Sequence, residues 1–422
     1  MSTTKDMNLG EELILRGLIS QISTEHVGEI LNEKRVAYVG VDPTADSIHV
    51  GNLITYIFLE HLLRRGHTSI MLVGGATGLI GDPSGKDEER VFSQEDEVLE
   101  RAKRIKKQLA GVKGLSEMPV VDNYTWFKDI SSLEFLRDVG KFFTVNSMIK
   151  RESVARRLKS ESGISFTEFS YALLQGYDFY HLNEHYNCDL QIGGSDQWGN
   201  IVSGIDLIRK KSGNKAYGIT IPLIVDKSTG KKFGKSAGNA VWLDPTKTSY
   251  YDFYQFWINV SDENVIEYLK LFTFLSLDEI EKISNSHAED PQERKAQKVL
   301  AFEVTSFVHG PEVARDVSTV ADVMFKSDDL SQVDPDTLTL LERYAPIHET
   351  ETDQKLVPVI VNFKLAKSNK EAKRFLSGNA IKVNGATLTD DVDMQNLFKG
   401  KKMIVVTRGR KHKVIIKLKR KR

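Results

Sequence analysis

The chemistry of this chain is concentrated in glycine-rich stretches that carry donors and cations. In Asp42-Pro-Thr-Ala-Asp-Ser-Ile-His-Val-Gly-Asn52, a turn follows an apolar run at 36–41 and leads into a helical pattern that begins near His49. A helix start of this kind presents free backbone N–H groups and a positive dipole end, both of which suit phosphate. Thr44 and His49 add donors, and Gly51 leaves room for a flat ring against the backbone. The competing reading is a plain helix cap by Asp46 or Ser47. A second stretch, Gly74-Gly-Ala-Thr-Gly-Leu-Ile-Gly-Asp-Pro-Ser-Gly-Lys86, implies close backbone approach to a ligand or a tight turn. It is not a Walker A loop: Ile80 stands where the first glycine belongs, and Asp87 where Ser or Thr is required. Nor does it have the glycine spacing of a dinucleotide fingerprint. Asp82 within it suits an ammonium group.

Lys231-Lys-Phe-Gly-Lys-Ser-Ala-Gly238 reads as a cationic loop able to close on a triphosphate and neutralise developing charge. Taken alone, a lysine run is more often a solvated surface loop. Tyr171, Gln175 and Asp178 share one helix face by their spacing, with Leu173, Leu174, Phe179 and Tyr180 around them. Such a polar stripe suits either a polar ligand or a satisfied core network. Gln191-Ile-Gly-Gly-Ser-Asp-Gln-Trp198 adds Asp196 and Gln197 at a glycine-rich strand end. His26, His61, His67, His181, His185 and His412 show no metal-ligand spacing. Cys188 reads as a small buried hydrophobe.

Elements that would position these residues alternate along the first half. Strands are expected at 36–41, 69–73, 118–121, 189–192 and 219–225, and helices at 53–63, 95–109, 131–139 and 166–180. That alternation predicts an α/β fold with a parallel sheet, whose ligands bind beyond the carboxyl ends of the strands. From 249 to about 325 only helical patterns remain, at 250–260, 264–274, 277–286, 291–309 and 311–325. Residues 326–335 read as a polar linker, and the stretch to 352 is ambiguous. The remaining segment reads as a helix at 369–375, a strand at 380–383, an Asn384-Gly385 turn, and strands at 403–407 and 413–419.

The 422 residues suggest two or three domains, and no apolar run approaches the ~18 residues of a membrane span. A polar start and a single cysteine argue for a cytoplasmic protein without disulfides. The 58 basic residues balance 58 acidic ones. That balance hides an asymmetry: residues 355–422 hold 19 Lys and Arg against four acids, a surplus of +15, and the rest of the chain carries −15. A basic module that binds a polyanion, attached to an acidic body, is the expectation.

In their order along the chain, these motifs resemble the bacterial-type tyrosyl-tRNA synthetases. His49-Val-Gly-Asn52 looks like the class I HIGH signature and Lys232-Phe-Gly-Lys-Ser236 like the KMSKS signature. Residues 355–422, with Ser-Asn-Lys-Glu-Ala-Lys-Arg-Phe-Leu-Ser-Gly-Asn, look like an S4-type RNA-binding module. The resemblance implies a Rossmann-like catalytic domain (1–248), an α-helical anticodon-side domain (249–325), a linker (326–354) and the S4-like domain (355–422). It implies that Tyr38 and Asp178 meet the hydroxyl of tyrosine, that Asp82, Tyr171 and Gln175 hold its ammonium group, and that Gln197 lies near its carboxylate. Gly40, Asp42, Gly51, Thr55, Gly194 and Asp196 would line the adenosine site. Thr44, His49, Asn52, Lys86, Arg90, Lys232, Lys235 and Ser236 would serve catalysis around the phosphates. Asn52 replaces the last signature histidine, and its amide N–H can occupy roughly the same donor position. Val39 stands where many relatives place a cysteine near the ribose. The implied substrates are ATP with Mg2+, L-tyrosine and tRNA(Tyr), with no protein metal site and no membrane. The implied assembly is a homodimer with 141–148 near its interface. Two other readings remain open on sequence: the tryptophan enzyme, and an RNA-binding protein on a degenerate synthetase scaffold.

Overall fold

The computed structural model describes residues 7–84, 94–160, 163–227, 230, 233–236, 239–351, 353–409 and 412–419, with backbone alone for Glu152, Lys235, Ser236 and Asn239. The chain divides into two compact units, Met1–Thr248 with Phe256–Gly310, and Ser249–Gln255 with Pro311–Arg422.

The first unit is built on a six-stranded sheet in the order β1-β6-β5-β2-β3-β4. The strands are β1 (Gln21–Ile22), β2 (Val36–Val41), β3 (Thr68–Val73), β4 (Val120–Asp122), β5 (Leu190–Gly194) and β6 (Tyr217–Ile221). All neighbours are parallel except the edge pair of β1 and β6. The apolar runs of β2, β3 and β5 mark strands covered on both faces. Chain order runs outward from β2 to β4 on one side and from β5 to β6 on the other. The crevice between β2 and β5 is therefore the topological switch point, where a ligand is expected. Two strands begin or end at prolines. The strand expected at 219–225 stops at Ile221 because Pro222 has no N–H for the ladder, and the one expected at 118–121 starts after Pro119.

Two helices serve the crevice. The helix Val50–Arg64 buries Leu53, Ile57 and Phe58. The helix Phe166–Tyr186 starts at Ser165, whose hydroxyl accepts from the N–H of Glu168. It runs past the expected end at 180 because no Gly or Pro stands between 181 and 186, and Asn187 closes it in the left-handed region at φ 53°. A short hairpin, β7 (Lys235–Ser236) with β8 (Asn239–Ala240), follows the sheet. The helices Asp262–Phe272, Leu277–Glu289 and Lys295–His309 complete this unit.

The second unit carries the helices Pro311–Lys326 and Pro335–Tyr344 and a five-stranded sheet. Its strands are β9 (Ile347–Thr350), β10 (Ile381–Val383), β11 (Ala386–Thr387), β12 (Met403–Arg408) and β13 (His412–Leu418), in the order β11-β10-β12-β13-β9. The helices Leu356–Asn362 and Asn369–Ser377 contribute Leu356, Ile360, Ala372 and Leu376 to a core with Ile381, Ile404, Val406 and Ile416. Asn384 and Gly385 both have positive φ, 46° and 77°, as the tight β10–β11 turn requires.

The expected divisions need correction here. Residues 326–354 are not a plain linker: they hold a helix and the strand β9, which pairs in parallel with β13 and so belongs to the C-terminal sheet. Short polar strands flanked by glutamate, as in Ile-His-Glu-Thr, give almost no periodic signal. The helical stretch 249–325 is also divided. Phe256–Gly310 joins the first unit, whereas 249–255 and 311–325 join the second.

Candidate active site in the crevice between β2 and β5

The carboxyl end of β2 leads through Asp42 and Thr44 to His49, which caps the helix Val50–Arg64. The imidazole Nδ1 of His49 accepts the Gly51 N–H at 3.0 Å. Neutral histidine must then carry its proton on Nε2, so a donor is held at the helix N-terminus. The plain cap by Asp46 or Ser47 is not what forms. Asp46 pairs with Arg101, Arg104 and Lys247 at 3.4, 3.7 and 3.4 Å. The Ser47 hydroxyl donates to the Ile48 carbonyl and accepts from Gln108.

The loop before β7 is fitted to this helix start. A Cβ on Gly51 would lie 2.8 Å from the His49 ring and 3.2 Å from the Phe233 carbonyl. Gly234 has φ +91°, and a Cβ there would lie 2.9 Å from the Gly51 nitrogen. The two signature stretches thus come close at their backbones. Phe233 anchors the loop, its ring packed among Phe256, Trp257, Tyr268 and Phe272 at centroid distances of 4.9–5.6 Å.

A cavity of about 490 Å³ opens over this framework. It is lined by Tyr38, Gly40, Asp42, Thr44, His49, Gly51, Asn52, Thr55, Asp82, Tyr171, Gln175, Asp178, Gly194, Asp196 and Gln197. Every sequence-predicted residue whose side chain is described lies on that wall. Lys86, Arg90 and Lys232 fall outside the described residues, and Lys235 and Ser236 are described only by their backbone in β7. The lining includes the aspartates Asp42, Asp82, Asp178 and Asp196 and, among the described residues, no lysine or arginine.

At its deep end Asp178 is 2% exposed. Its two carboxylate oxygens accept from Trp126 Nε1 and Asn123 Nδ2, each at 2.9 Å. Burial drives its pKa well above the ordinary carboxylate range, against the pull of those two donors. Trp126 is fixed by stacking on His181, with centroids 4.3 Å apart. The Asn123 amide also donates to Thr77 Oγ1 at 3.0 Å, and Thr77 donates to Asp42 Oδ1 at 2.8 Å. The Tyr171 hydroxyl donates to the other oxygen of Asp42 at 2.9 Å. The buried Tyr38 hydroxyl finds no partner among the described residues. Its ionisation is suppressed by burial and then by Asp178, so the phenol stays protonated. Gln175 Oε1 and Gln191 Oε1 are likewise buried without partners among the described residues. Buried polar groups of this kind cost free energy until a ligand pairs with them.

Nearer the mouth, Asp82 accepts from Gln197 Nε2 at 2.7 Å and from the Ser84 N–H at 2.9 Å. Asn200 donates to Gln197 Oε1 at 3.3 Å, which orients that amide. The cavity therefore offers unpaired hydroxyl and amide groups in a dry end, carboxylates along one wall, and a capped helix start. A ligand with a phenol, an ammonium group and a phosphate would satisfy all three.

Sequence reading missed Asn123, Trp126, Thr77 and Asn200. Asn123-Tyr-Thr-Trp126 directly follows β4, and its place at a strand's carboxyl end was the available signal. Nothing in the types Asn and Trp alone pointed to the partner, Asp178, which is 55 residues from Asn123.

Comparison with known proteins agrees with this picture. A family model described as tRNA synthetases class I (W and Y) matches residues 31–326. A second, described as the tyrosine--tRNA ligase SYY-like C-terminal domain, matches residues 339–416. A tyrosine--tRNA ligase of Lactococcus lactis subsp. cremoris (strain MG1363) is 44% identical over 425 residues, covering 97% of this chain and 100% of that one. One from Streptococcus pyogenes serotype M5 (strain Manfredo) is 44% identical over 419 residues, with the same coverage. Among solved structures, a C-terminally truncated mitochondrial tyrosyl-tRNA synthetase of Aspergillus nidulans superposes with a TM-score of 0.69 at 32% identity, over 76% of this chain and 95% of that one. A tyrosyl-tRNA synthetase from Archaeoglobus fulgidus, at 18% identity and a TM-score of 0.53, shares the fold; it covers 74% of this chain and 100% of that one.

The backbone contact between the loop and the helix start has a direct test. Gly234→Ala places a Cβ against the Gly51 nitrogen at a positive φ, and should cost roughly 1–3 kcal/mol in urea unfolding. Unchanged stability would mean that the loop does not rest on Gly51.

Proposed function

The chain belongs to the class I tRNA synthetases of the W and Y group, and from that premise we propose how it works as a tyrosine–tRNA ligase. It joins tyrosine to ATP as tyrosyl-adenylate with release of pyrophosphate, then passes the tyrosyl group to the 3′ end of tRNA(Tyr). The observation that carries the choice of amino acid is the deep end of the cavity. There the protonated Tyr38 hydroxyl and the Asp178 carboxyl lie in a dry site suited to one phenol.

Tyrosine's hydroxyl sits between Tyr38 and Asp178, its ammonium group meets Asp82, Tyr171 and Gln175, and Gln197 lies near its carboxylate. Phenylalanine in that place leaves buried groups unpaired, which is the rule by which tyrosine enzymes reject it. Gly40, Asp42, Gly51, Thr55, Gly194 and Asp196 flank the adenosine. In the first step the ionised tyrosine carboxylate attacks the α-phosphorus of ATP. The oxygen–phosphorus bond to tyrosine forms, the α–β bridge breaks, and the electron pair leaves with pyrophosphate. No general base is needed, because that carboxylate is already ionised at neutral pH. Thr44, the Nε2–H of His49, and Asn52 stand at the helix start. Lys86, Arg90, Lys232 and Lys235 supply charge, and Ser236 a hydroxyl donor, to the leaving phosphates. Mg2+ enters with the nucleotide as Mg-ATP. Among the described residues no cluster of three or more His, Cys, Asp and Glu side chains forms a metal site.

The basic C-terminal segment takes tRNA through phosphates. The working form is a homodimer in the cytoplasm. Support for the dimer comes from large apolar side chains exposed between 133 and 166, among them Leu133 at 81% and Phe166 at 76%. Such apolar exposure is the mark of an association surface. Cell fractionation checks the location.

Tyrosine-dependent exchange of pyrophosphate into ATP is the central experiment, and exchange with tryptophan instead would sink the reading. Lys235→Ala should slow adenylate formation about 10²- to 10³-fold and leave tyrosine affinity without ATP nearly unchanged. Asp178→Asn turns an NH2 donor toward one of the two donors, Asn123 or Trp126, and should erode tyrosine-over-phenylalanine selectivity about 10- to 100-fold. Removing residues 327–422, so that β9 leaves with its sheet, should spare exchange and impair tRNA charging. Charging that survives the deletion at moderate salt would move the tRNA anchor elsewhere. Sedimentation of Phe166→Asp should show monomers; a wild-type profile would rule out that surface as the dimer contact.

A further inference from the structure

A second cavity, of about 360 Å³, lies in the first unit and shares no lining residue with the catalytic one. Its wall includes Arg16, His61, Arg64 and Arg65, closed on one side by Phe274 and Ser276. Some of this charge is already committed. Arg16 is tied to Glu12 and to the carbonyls of Lys270, Thr273 and Leu275. Glu12 also takes one Nη of Arg65 at 2.5 Å. The Nε of Arg64 bonds to Glu60 at 2.7 Å, and its guanidinium lies 3.9 Å from the centroid of the Phe274 ring. The second carboxylate of the wall, Glu279, is turned to the backbone N–H and hydroxyl of Ser276.

What remains uncommitted points to an anion. The Nη groups of Arg64, and the Nε and second Nη of Arg65, have no partner among the described residues. His61 is 5% exposed, and its Nε2 finds no hydrogen-bond partner among the described residues. The ring is held in place by Phe274, with centroids 4.8 Å apart. Burial and the three arginines keep this imidazole neutral, able to offer a single N–H. The N-terminus of the thirteen-residue helix Leu277–Glu289 opens on the same space; Glu279 closes a capping box with Ser276 and Asp278 joins it in the first turn, so its dipole end is partly met already and contributes less than the arginines. The C-terminal dipole of the helix Val50–Arg64 accounts for a basic residue in its last turn. It does not account for two half-used guanidinium forks, a second helix start and an unpaired imidazole nitrogen around one hollow.

We propose that this cavity binds a tetrahedral oxyanion, a phosphoryl group, held by Arg64, Arg65 and His61 at the start of the helix Leu277–Glu289. Donors from two elements, the end of the helix Val50–Arg64 and the start of the helix Leu277–Glu289, suit a tetrahedral ion better than a planar carboxylate, which one guanidinium fork satisfies. The site stands apart from the catalytic residues, so it holds or fails independently of the synthetase reading.

The test uses the full-length protein with isotope-labelled histidine side chains, the His61 resonance being assigned by its loss in His61→Asn. Inorganic phosphate, titrated at constant ionic strength, should shift the His61 resonance saturably. Arg65→Gln, at a half-exposed position, should weaken the apparent affinity about tenfold while leaving the thermal melting point and pyrophosphate exchange unchanged. Glycerol phosphate in place of phosphate separates two sources of the same chemistry. Equal binding supports a phosphate ester as occupant, and binding of phosphate alone supports the free ion. A His61 resonance that does not respond, an equal response to acetate, or an affinity that Arg65→Gln leaves intact would each overturn the proposal.

Discussion

An aspartate kept out of water is the constraint around which the catalytic unit is arranged. A buried carboxylate is expensive, and Asp178 is tolerable only because Asn123 and Trp126 each give one of its oxygens a donor. Those donors need supports of their own: Trp126 is stacked on His181, and Asn123 is bonded to Thr77 and to the Ala76 N–H. Through Thr77 the chain of contacts reaches Asp42 and then Tyr171. One polar network thus runs along the cavity, from the end proposed for the phenol toward the wall proposed for the nucleotide. The sheet supplies its geometry, since Asp42 leaves β2, Asn123 follows β4, and Asp178 stands on the long helix that precedes β5.

Much of this could be read from residue order, and the exceptions have physical causes. The strand 36–41 and the helices at 53–63 and 95–109 were legible because an apolar run and a 3.6-residue period leave little ambiguity. The wall residues Tyr171, Gln175 and Asp178 were legible because polar residues on an apolar helix face are anomalous. Asn123 and Trp126 were not, since their role is set by a partner brought near only by the fold. β9 was missed for a related reason: Ile347–Thr350 becomes a strand by pairing with β13, more than sixty residues later, and its own sequence shows no alternation. The helical middle of the chain looked like one domain because each helix is periodic in isolation. Which core each helix joins depends on non-local packing that periodicity does not carry.

Charge follows the same division between local and global information. A formal net charge of zero would argue against a nucleic-acid partner, yet it is the sum of −15 and +15 from two segments of one chain. Within the catalytic cavity the pattern recurs on a smaller scale. Aspartates occupy the described wall, and among the described residues no lysine or arginine does. An acidic wall suits an ammonium group, and the proposed role of the signature lysines leaves the phosphates to them.

The contact between Gly51 and Gly234 carries a consequence for how this enzyme can change. Gly234 is required by the Gly51 backbone and by its own positive φ, and Gly51 by the His49 ring and the Phe233 carbonyl, so neither motif can acquire a side chain there without movement around it. Single substitutions meet a steric wall from either direction, and paired substitutions must cross it together. The two signature stretches are therefore bound to a common history, enforced by the width of a methyl group.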